Sequence, residues 1–195
     1  MVDLPATVKH YLVHQTCEIK KRGIQQRSAP QLVIMIDSSA SMAADQQISL
    51  VKGLITGILQ RYRHQKPRVA MIALSGGSAE IITPFTGNIQ LLISALTDLR
   101  TGGKTNMLAG FRKAAALLQQ QKDNSAQHLY LFTDGRINAG DTPRPMEDAA
   151  EFYRTHLSGF KRNTFIINTE TGYPRLGMAV TLAERLDCRM FEPEQ

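Results

Sequence analysis

The amino-acid sequence predicts an α/β fold: a doubly wound, mostly parallel six-stranded sheet with helices on both faces and one antiparallel edge strand. Three observations predict it. Short, continuous apolar runs recur along the chain, as expected of strands that are covered on both faces. Segments with apolar residues at helical spacing separate these runs. The length of 195 residues and the 43% hydrophobic content suit one globular domain with a sizeable core.

Composition locates five of the strands. Four are apolar runs, at residues 32–36, 69–74, 129–132 and 165–167. Gly76 and Gly77 mark a turn after the second run. We expect residues 79–83 to pair back on that run as the antiparallel edge strand.

Five amphipathic helices are predicted around these strands. Their apolar faces lie within residues 48–62, 89–99, 107–118, 146–157 and 176–186. The alternation of strands and helices is typical of a doubly wound sheet. Ligands of such sheets bind beyond the carboxyl ends of the strands, near the point where the strand order reverses. Candidate site residues are therefore expected in the loops that follow the strands.

We divide the chain into a basic N-terminal arm, residues 1–30, and a single domain, residues 31–195. The formal net charge of +6 indicates acidic partners. The arm carries a basic cluster without interleaved aromatic residues and without a recognised nucleic-acid motif: Lys20, Lys21, Arg22 and Arg27. We interpret this cluster as a solvated surface, and we expect no nucleic-acid partner.

Two further features predict a cytoplasmic protein. The sequence contains no run of about 18 apolar residues, the length that a membrane span needs, and the first ten residues do not form a secretory signal. Cys17 and Cys188 lie near opposite ends of the chain. Although one bridge between them is conceivable, two free thiols are the simpler interpretation.

Oxygen-bearing side chains follow two of the predicted strands. Asp37, Ser39 and Ser41 come directly after the first strand at alternate positions, and Asp134 follows the fourth. Thr105 lies in a glycine-containing loop that leads into the third helix. We expect all five to meet at one edge of the sheet. Hard oxygen ligands with two carboxylates suit Mg²⁺, with Mn²⁺ as an alternative, and they do not suit zinc or copper.

The residue types also suggest how such a site works. If the neutral hydroxyls of Ser39, Ser41 and Thr105 bind the ion directly, Asp37 and Asp134 can act through bound water. The ion then keeps much of its attraction for an anion. A Glu or Asp side chain of a protein partner is expected to complete the coordination.

The five residues together resemble the metal-ion-dependent adhesion site of von Willebrand factor A (VWA) domains. Within that superfamily, the sequence is similar to the C-terminal domain of the magnesium chelatase D protein and of cobaltochelatase-type subunits. The similarity is carried by residues 33–42, 101–105, 132–138 and 168–170. It implies a VWA, Rossmann-like fold, a bound Mg²⁺ ion and an AAA+ ATPase as partner. It also implies a component that is not catalytic alone and that couples the ATPase to metal insertion.

The sequence departs from the family pattern in two respects. Ala40 occupies a position where the family usually carries glycine. This sequence does not contain the AAA+ module and acidic linker of chelatase D proteins. The resemblance therefore does not imply that this chain forms a ring through such a module. The chain is either free-standing or part of a longer protein.

Other interpretations of the motifs stay open or are set aside. No catalytic residue is assigned, but a stand-alone Mg²⁺-dependent phosphoryl hydrolase using Asp37 or Asp134 is an alternative, as is a scaffold that the metal merely stiffens. The loop that ends at Lys104 and Thr105 resembles a P-loop. However, Asp98 replaces its first glycine, and a helix precedes the loop where a P-loop follows a strand.

Two further groups of polar residues have weaker interpretations. His10, His14 and Cys17 have a spacing compatible with zinc but no evident fourth ligand, so a solvated face is favoured. Arg136, Asn138 and Arg144 flank the predicted metal loop, where they either steer an acidic partner or form plain surface.

Overall fold

The computed structural model describes residues 12–13, 28–39, 45–99, 101–120, 125–171 and 174–193. Its sheet has six strands: β1 (Gln31–Asp37), β2 (Arg68–Ser75), β3 (Ser78–Thr86), β4 (Gln127–Thr133), β5 (Thr164–Asn168) and β6 (Arg189–Phe191). The helices are α1 (Asp45–Tyr62), α2 (Ile89–Thr97), α3 (Met107–Gln119), α4 (Pro145–His156) and α5 (Met178–Leu186). Two short 3₁₀ helices follow α1 and α4, at Arg63–Gln65 and Ser158–Asn163.

The strands lie in the order β3-β2-β1-β4-β5-β6. All neighbouring pairs are parallel except β2 and β3, which are antiparallel. The predicted fold class is therefore confirmed, including the antiparallel edge strand. The chain leaves β1 toward β2 on one side and later returns to β4 on the other, so the strand order reverses between β1 and β4.

The central strand β1 explains why its sequence is a continuous apolar run. All seven of its residues are buried. Val33 and Met35 pack into the core under α3, α4 and α5, whereas Leu32, Ile34 and Ile36 pack into the core under α1 and α2. Because both faces of the strand are covered by helices, neither set of alternating positions tolerates polar side chains.

The located strands and helices agree with the prediction, with two differences. The sixth strand, β6, has only three residues, of which the first and last are exposed and the middle one is partly buried. The sequence therefore has no apolar run from which this strand could be predicted. Helix α5 begins at Met178, two residues after Leu176. The backbone N–H groups of Leu176 and Gly177 instead donate to the buried carboxylate of Glu170, and Gly177 has a left-handed φ of 66°.

Several predictions concern residues outside the described ranges. The basic arm of residues 1–30 is described only at residues 12–13 and 28–30, so its boundary with the domain stays a prediction. His10, His14, Cys17 and the arm's basic cluster also lie outside these ranges. Cys188 is a free, partly buried thiol, and burial raises its pKa to about 12. Within the described ranges, no helix has the length and apolar character needed to cross a membrane.

Two helical glycines provide a test of this packing. At Gly57 in α1, an added Cβ meets no heavy atom within 4 Å, whereas at Gly110 in α3 it lies 2.5 Å from Met35 and 2.6 Å from Leu74. We expect Gly57→Ala to raise the free energy of unfolding by about 0.5–1 kcal/mol, because alanine loses less backbone entropy in a helix. Gly110→Ala is expected to lower it by about 1–3 kcal/mol through overpacking. Urea titrations measure both, and a stabilising Gly110→Ala would contradict the packing.

Candidate metal centre

Two of the predicted metal residues, Asp37 and Asp134, lie at the carboxyl edge of the sheet, where the strand order reverses. Asp37 ends β1, and Asp134 directly follows β4. Ile36 pairs with Phe132 across the two strands, so Asp37 lies beside Thr133. This is the position at which doubly wound sheets bind ligands.

The structure describes four of the five predicted ligands. Asp37 and Thr105 are 0% exposed, Asp134 is 4% exposed and Ser39 is 5% exposed. Ser41 lies outside the described residues, as does Ala40, so the role of Ser41 stays a prediction. Hydrogen bonds join three of the four described residues directly.

Asp37 is at the centre of these hydrogen bonds. Its Oδ1 accepts from the Thr105 hydroxyl at 2.9 Å and from the Ser39 backbone N–H at 3.1 Å. Its Oδ2 accepts from the Thr133 hydroxyl at 2.8 Å. Both carboxylate oxygens are thus engaged by the protein. Asp37 therefore orients neighbouring hydroxyls rather than presenting free oxygens to a ligand.

Burial and hydrogen bonding act in opposite directions on this carboxyl group. Removal from water raises the pKa of Asp37, and hydrogen bonds from Thr133, Thr105 and the backbone and side chain of Ser39 lower it. Burial is the larger effect, so the pKa of Asp37 lies above its ordinary value. A carboxylate in this environment favours a nearby positive charge.

Thr105 is held in place from two sides. Its backbone N–H donates to the side-chain oxygen of Asn138 at 2.7 Å. In return, the backbone N–H groups of Asn138 and Ala139 donate to the Thr105 carbonyl, at 3.3 and 3.1 Å. These hydrogen bonds connect the loop after β4 to the loop before α3. Asn138 is a positioning residue of the site, which the motif alone did not reveal.

Close backbone contacts hold the loop before α3 against its neighbours. Gly102 N–H donates to the Ser38 carbonyl at 2.8 Å, and Gly76 N–H donates to the Gly102 carbonyl at 3.2 Å. At Gly103, a Cβ would lie 2.6 Å from the Cα of Gly76. The absence of side chains at these glycines therefore allows the loop to pack closely against its neighbours.

Asp134 is buried but has a cationic neighbour. Its Oδ1 accepts from the Arg136 backbone N–H at 2.9 Å, and its Oδ2 lies 3.4 Å from Nε of Arg136. The next residue, Gly135, has a φ of 80°, and a Cβ there would lie 2.3 Å from backbone atoms of Met178 and Ala179. The start of α5 thus forms a wall that fixes the backbone of Asp134.

The donor set fits a small, hard divalent cation. All four described side chains offer oxygen atoms. Because the Thr105 hydroxyl donates its hydrogen to Asp37, the lone pairs of the Thr105 oxygen stay available to a cation. Within the described ranges, no group of three His, Cys, Asp or Glu side chains could hold a metal. Ser39 and Thr105 would therefore bind a cation through hydroxyl oxygens, with Asp37 and Asp134 supplying negative charge.

Thr133 is a further residue whose role the sequence did not reveal. Its hydroxyl donates to Asp37 and accepts from the Gly135 backbone N–H at 3.0 Å. One side chain thus joins the ends of β1 and β4. A hydroxyl residue directly before Asp134 was the available signal, but only the strand pairing shows what it contacts.

Comparisons with known proteins agree with this architecture. A family model described as the von Willebrand factor type A domain matches residues 32–136, which are 105 of the 195 residues. An uncharacterized protein of Mycobacterium tuberculosis is 30% identical over 182 residues, covering 90% of this chain and 28% of that protein. The magnesium-chelatase 67 kDa subunit of Chlorobaculum parvum is 23% identical, covering 92% of this chain and 31% of that subunit. The chain thus spans less than a third of either relative.

A solved structure shares the fold at low sequence identity. The manganese-loaded TRAP protein of Plasmodium vivax superimposes with a TM-score of 0.64 at 17% identity. The superposition covers 87% of this chain and 66% of that protein.

The hydrogen bond between Thr133 and Asp37 leads to a prediction about stability. Thr133→Val removes the hydroxyl and leaves a buried carboxylate oxygen and the Gly135 N–H without their partner. We expect the free energy of unfolding to fall by about 1–3 kcal/mol, measured by urea titration in chelator. Thr133→Ser keeps the hydroxyl and is the control. Equal losses in the two variants would show that the methyl group, and not the hydrogen bond, matters.

Proposed function

Because the chain belongs to the von Willebrand factor type A domain family and is related to magnesium-chelatase subunits, we propose that it is a metal-dependent binding module. Its residues at the edge between β1 and β4 would hold a Mg²⁺ ion, or Mn²⁺ in its place, through which a carboxylate of a protein partner would bind. The observation that carries this proposal is the buried cluster of Asp37, Ser39, Thr105 and Thr133.

The chain's own side chains divide the work. Ser39, Thr105 and Ser41 would hold the ion through neutral hydroxyls, and Asp37 orients the first two by accepting their hydrogen bonds. Asp134 supplies the second negative charge. The ion, when bound, supplies an electrophilic position that an incoming carboxylate fills. Because the hydroxyl ligands are neutral, they leave most of the ion's charge available to the partner.

The surrounding surface favours an anionic partner. Arg136 lies beside Asp134 with its side chain 46% exposed. Lys104, directly before Thr105, and Arg144, at the end of the loop that contains Arg136, are also exposed. A Glu or Asp side chain gains both the metal bond and this local positive field, whereas a neutral amide gains much less. Arg136 thus acts twice: it balances Asp134 in the free protein and attracts the partner.

The similarity to magnesium-chelatase subunits suggests the class of partner. We propose an AAA+ ATPase, to which this module docks in a chelatase-type assembly that couples ATP hydrolysis to metal insertion. This chain corresponds to under a third of the matched chelatase subunit, so the activity of the whole assembly is part of the proposal. A cytoplasmic location, expected from the sequence, belongs to it too.

The two alternatives have less support. A phosphoryl hydrolase needs a group that orients water, yet no histidine bonds to Asp37 or Asp134 among the described residues, and both oxygens of Asp37 already accept hydrogen bonds. A purely structural ion would stabilise the fold without affecting partner binding. That difference is measurable.

Divalent ions should stabilise the protein selectively. We expect Mg²⁺ and Mn²⁺ to raise the melting temperature by several degrees, with about 2.7 kcal/mol of stabilisation at a concentration of 100 times Kd. Ca²⁺ should stabilise less, because it prefers about 6–8 oxygen ligands. Differential scanning fluorimetry measures the shift, with Asp134→Asn as the variant that should lose it. No shift with any divalent ion, or an equal shift with Ca²⁺, argues against the site.

Measurements of partner binding should distinguish the role of Asp134 from that of Arg136. The partner is captured in Mg²⁺, and its affinity is then measured by calorimetry in Mg²⁺ and in excess chelator. We expect Asp134→Ala to abolish the metal-dependent part, and Arg136→Gln to weaken partner binding while the ion still raises the melting temperature. One Glu→Gln or Asp→Asn change in the partner should cost about 2–5 kcal/mol.

The control for Arg136 is Arg185→Gln, because Arg185 is a comparably exposed arginine in an ion pair with Glu147. It should leave the affinity unchanged. If the partner binds equally well in chelator, or if every acidic change in the partner is harmless, the ion is not the bridge and the scaffold interpretation replaces this one.

A further inference from the structure

A second concave surface lies at the opposite end of the sheet from the metal centre. It is a cavity of about 360 Å³ between the end of α1, the start of β2 and the start of α2. Its walls are aliphatic: Leu59, Val69, Ile89 and Leu92. Leu59, Val69 and Leu92 are at most 5% exposed and belong to the core, whereas Ile89 is 50% exposed. The volume is within the usual range of about 300–1,000 Å³ for ligand pockets.

The most basic stretch of the described chain contributes residues to the border of the cavity. Residues 61–68 contain four arginines or lysines, one histidine and no acidic residue. Arg63 and Lys66 line the cavity and are exposed. No carboxylate of a described residue forms an ion pair with either of them. Among the described residues, the charged groups that line the cavity are therefore all cationic.

A tight backbone turn connects Arg63 and Lys66. The 3₁₀ helix Arg63–Gln65 ends at Lys66, which adopts a left-handed conformation with a φ of 49°. The Lys66 N–H donates to the Arg63 carbonyl at 3.3 Å. The Arg63 Nε donates to Nε2 of His64 at 3.0 Å. The chain turns sharply here, so Arg63 and Lys66 border the same cavity instead of pointing along one helix.

We infer that this cavity, which is bordered by Arg63 and Lys66 and has aliphatic walls, binds an acidic amphipathic segment of a protein partner. An aliphatic side chain of the segment enters the cavity against Leu59 and Leu92, and flanking carboxylates pair with the two cations. The match is one of charge and shape: apolar walls select an apolar side chain, and a purely cationic border selects acidic neighbours.

The wall chemistry favours a protein segment over a nucleic acid. Nucleic-acid sites pair cations with exposed aromatic faces on which bases stack. Here the described walls are aliphatic, and no aromatic ring is among the described residues that line the cavity. An aliphatic side chain fills such a cavity better than a polar base does.

This surface acts independently of the metal centre. The cavity lies at the amino ends of the parallel strands, whereas Asp37 and Asp134 lie at their carboxyl ends. Binding there requires no divalent ion. A failure of the metal-dependent function would therefore leave this inference intact, and the reverse is also true.

The test uses three short fluorescein-labelled peptides and the full chain in excess chelator. The first peptide has leucines and glutamates at helical spacing, the second replaces its glutamates with lysines, and the third replaces its leucines with alanines. Fluorescence anisotropy measures Kd. We expect the first peptide to bind at least about tenfold more tightly than either of the others. Amide chemical shifts of the labelled protein should change around Arg63, Lys66 and Ile89.

Two variants and one control locate the binding. Arg63→Glu with Lys66→Glu reverses the border charge, and we expect at least about a tenfold rise in Kd. Gly87→Leu adds a side chain at the cavity, where a Cβ meets only the Pro67 carbonyl at 3.8 Å, and should raise Kd similarly. Lys113→Glu with Arg154→Glu makes the same change in net charge on exposed positions of α3 and α4 and should change Kd less than about twofold.

Five outcomes would overturn the inference, of which four concern the peptides and the variants. They are no binding of the first peptide up to about 1 mM, equal binding of the lysine or alanine peptide, an equal effect of the control pair, and shift changes confined to another surface. Tighter binding of a single-stranded oligonucleotide to the same residues would overturn it too, in favour of a nucleic-acid site. The shift map needs no variant, so it decides the matter even if a substitution impairs folding.

Discussion

The candidate metal centre depends on one buried carboxylate, that of Asp37. A carboxylate removed from water costs several kcal/mol unless hydrogen bonds or a positive charge compensate. Here the Ser39 N–H and the hydroxyls of Thr105 and Thr133 compensate in part. These bonds reach three different segments of the chain. The same interaction that keeps Asp37 buried therefore also gathers the hydroxyls that a cation needs.

The rest of the fold keeps those segments within reach. Pairing of β1 with β4 places Asp37 beside Thr133. The side-chain oxygen of Asn138 accepts a hydrogen bond from the Thr105 backbone N–H and holds that loop in position. Gly135 packs against the start of α5 at a distance that admits no side chain. The described residues of the candidate site are thus held by contacts within the protein itself. A rigid arrangement of neutral hydroxyls beside two carboxylates suits Mg²⁺, which tolerates little distortion of its coordination.

Sequence patterns predicted those features that depend on local composition. The apolar run of β1 and the helical spacing of α3 reveal buried elements, and Asp37 and Asp134 stand out because they end such strands. Features that depend on tertiary contacts were not visible. The three-residue β6 has no pattern of its own. From the sequence, Asn138 either steers a partner or forms plain surface, and only the structure shows its hydrogen bond to Thr105. The cavity beside Arg63 exists only because α1, β2 and α2 meet there.

A crystal structure of the protein grown with Mn²⁺, with anomalous scattering data, tests the metal-dependent role most directly. We expect one strong anomalous peak at the carboxyl edge of the sheet, roughly 2 Å from the hydroxyl oxygens of Ser39 and Thr105. Asp37 should keep its hydrogen bonds to both of these residues. A peak bound by other residues, or no peak at saturating Mn²⁺, would contradict a metal centre at this edge.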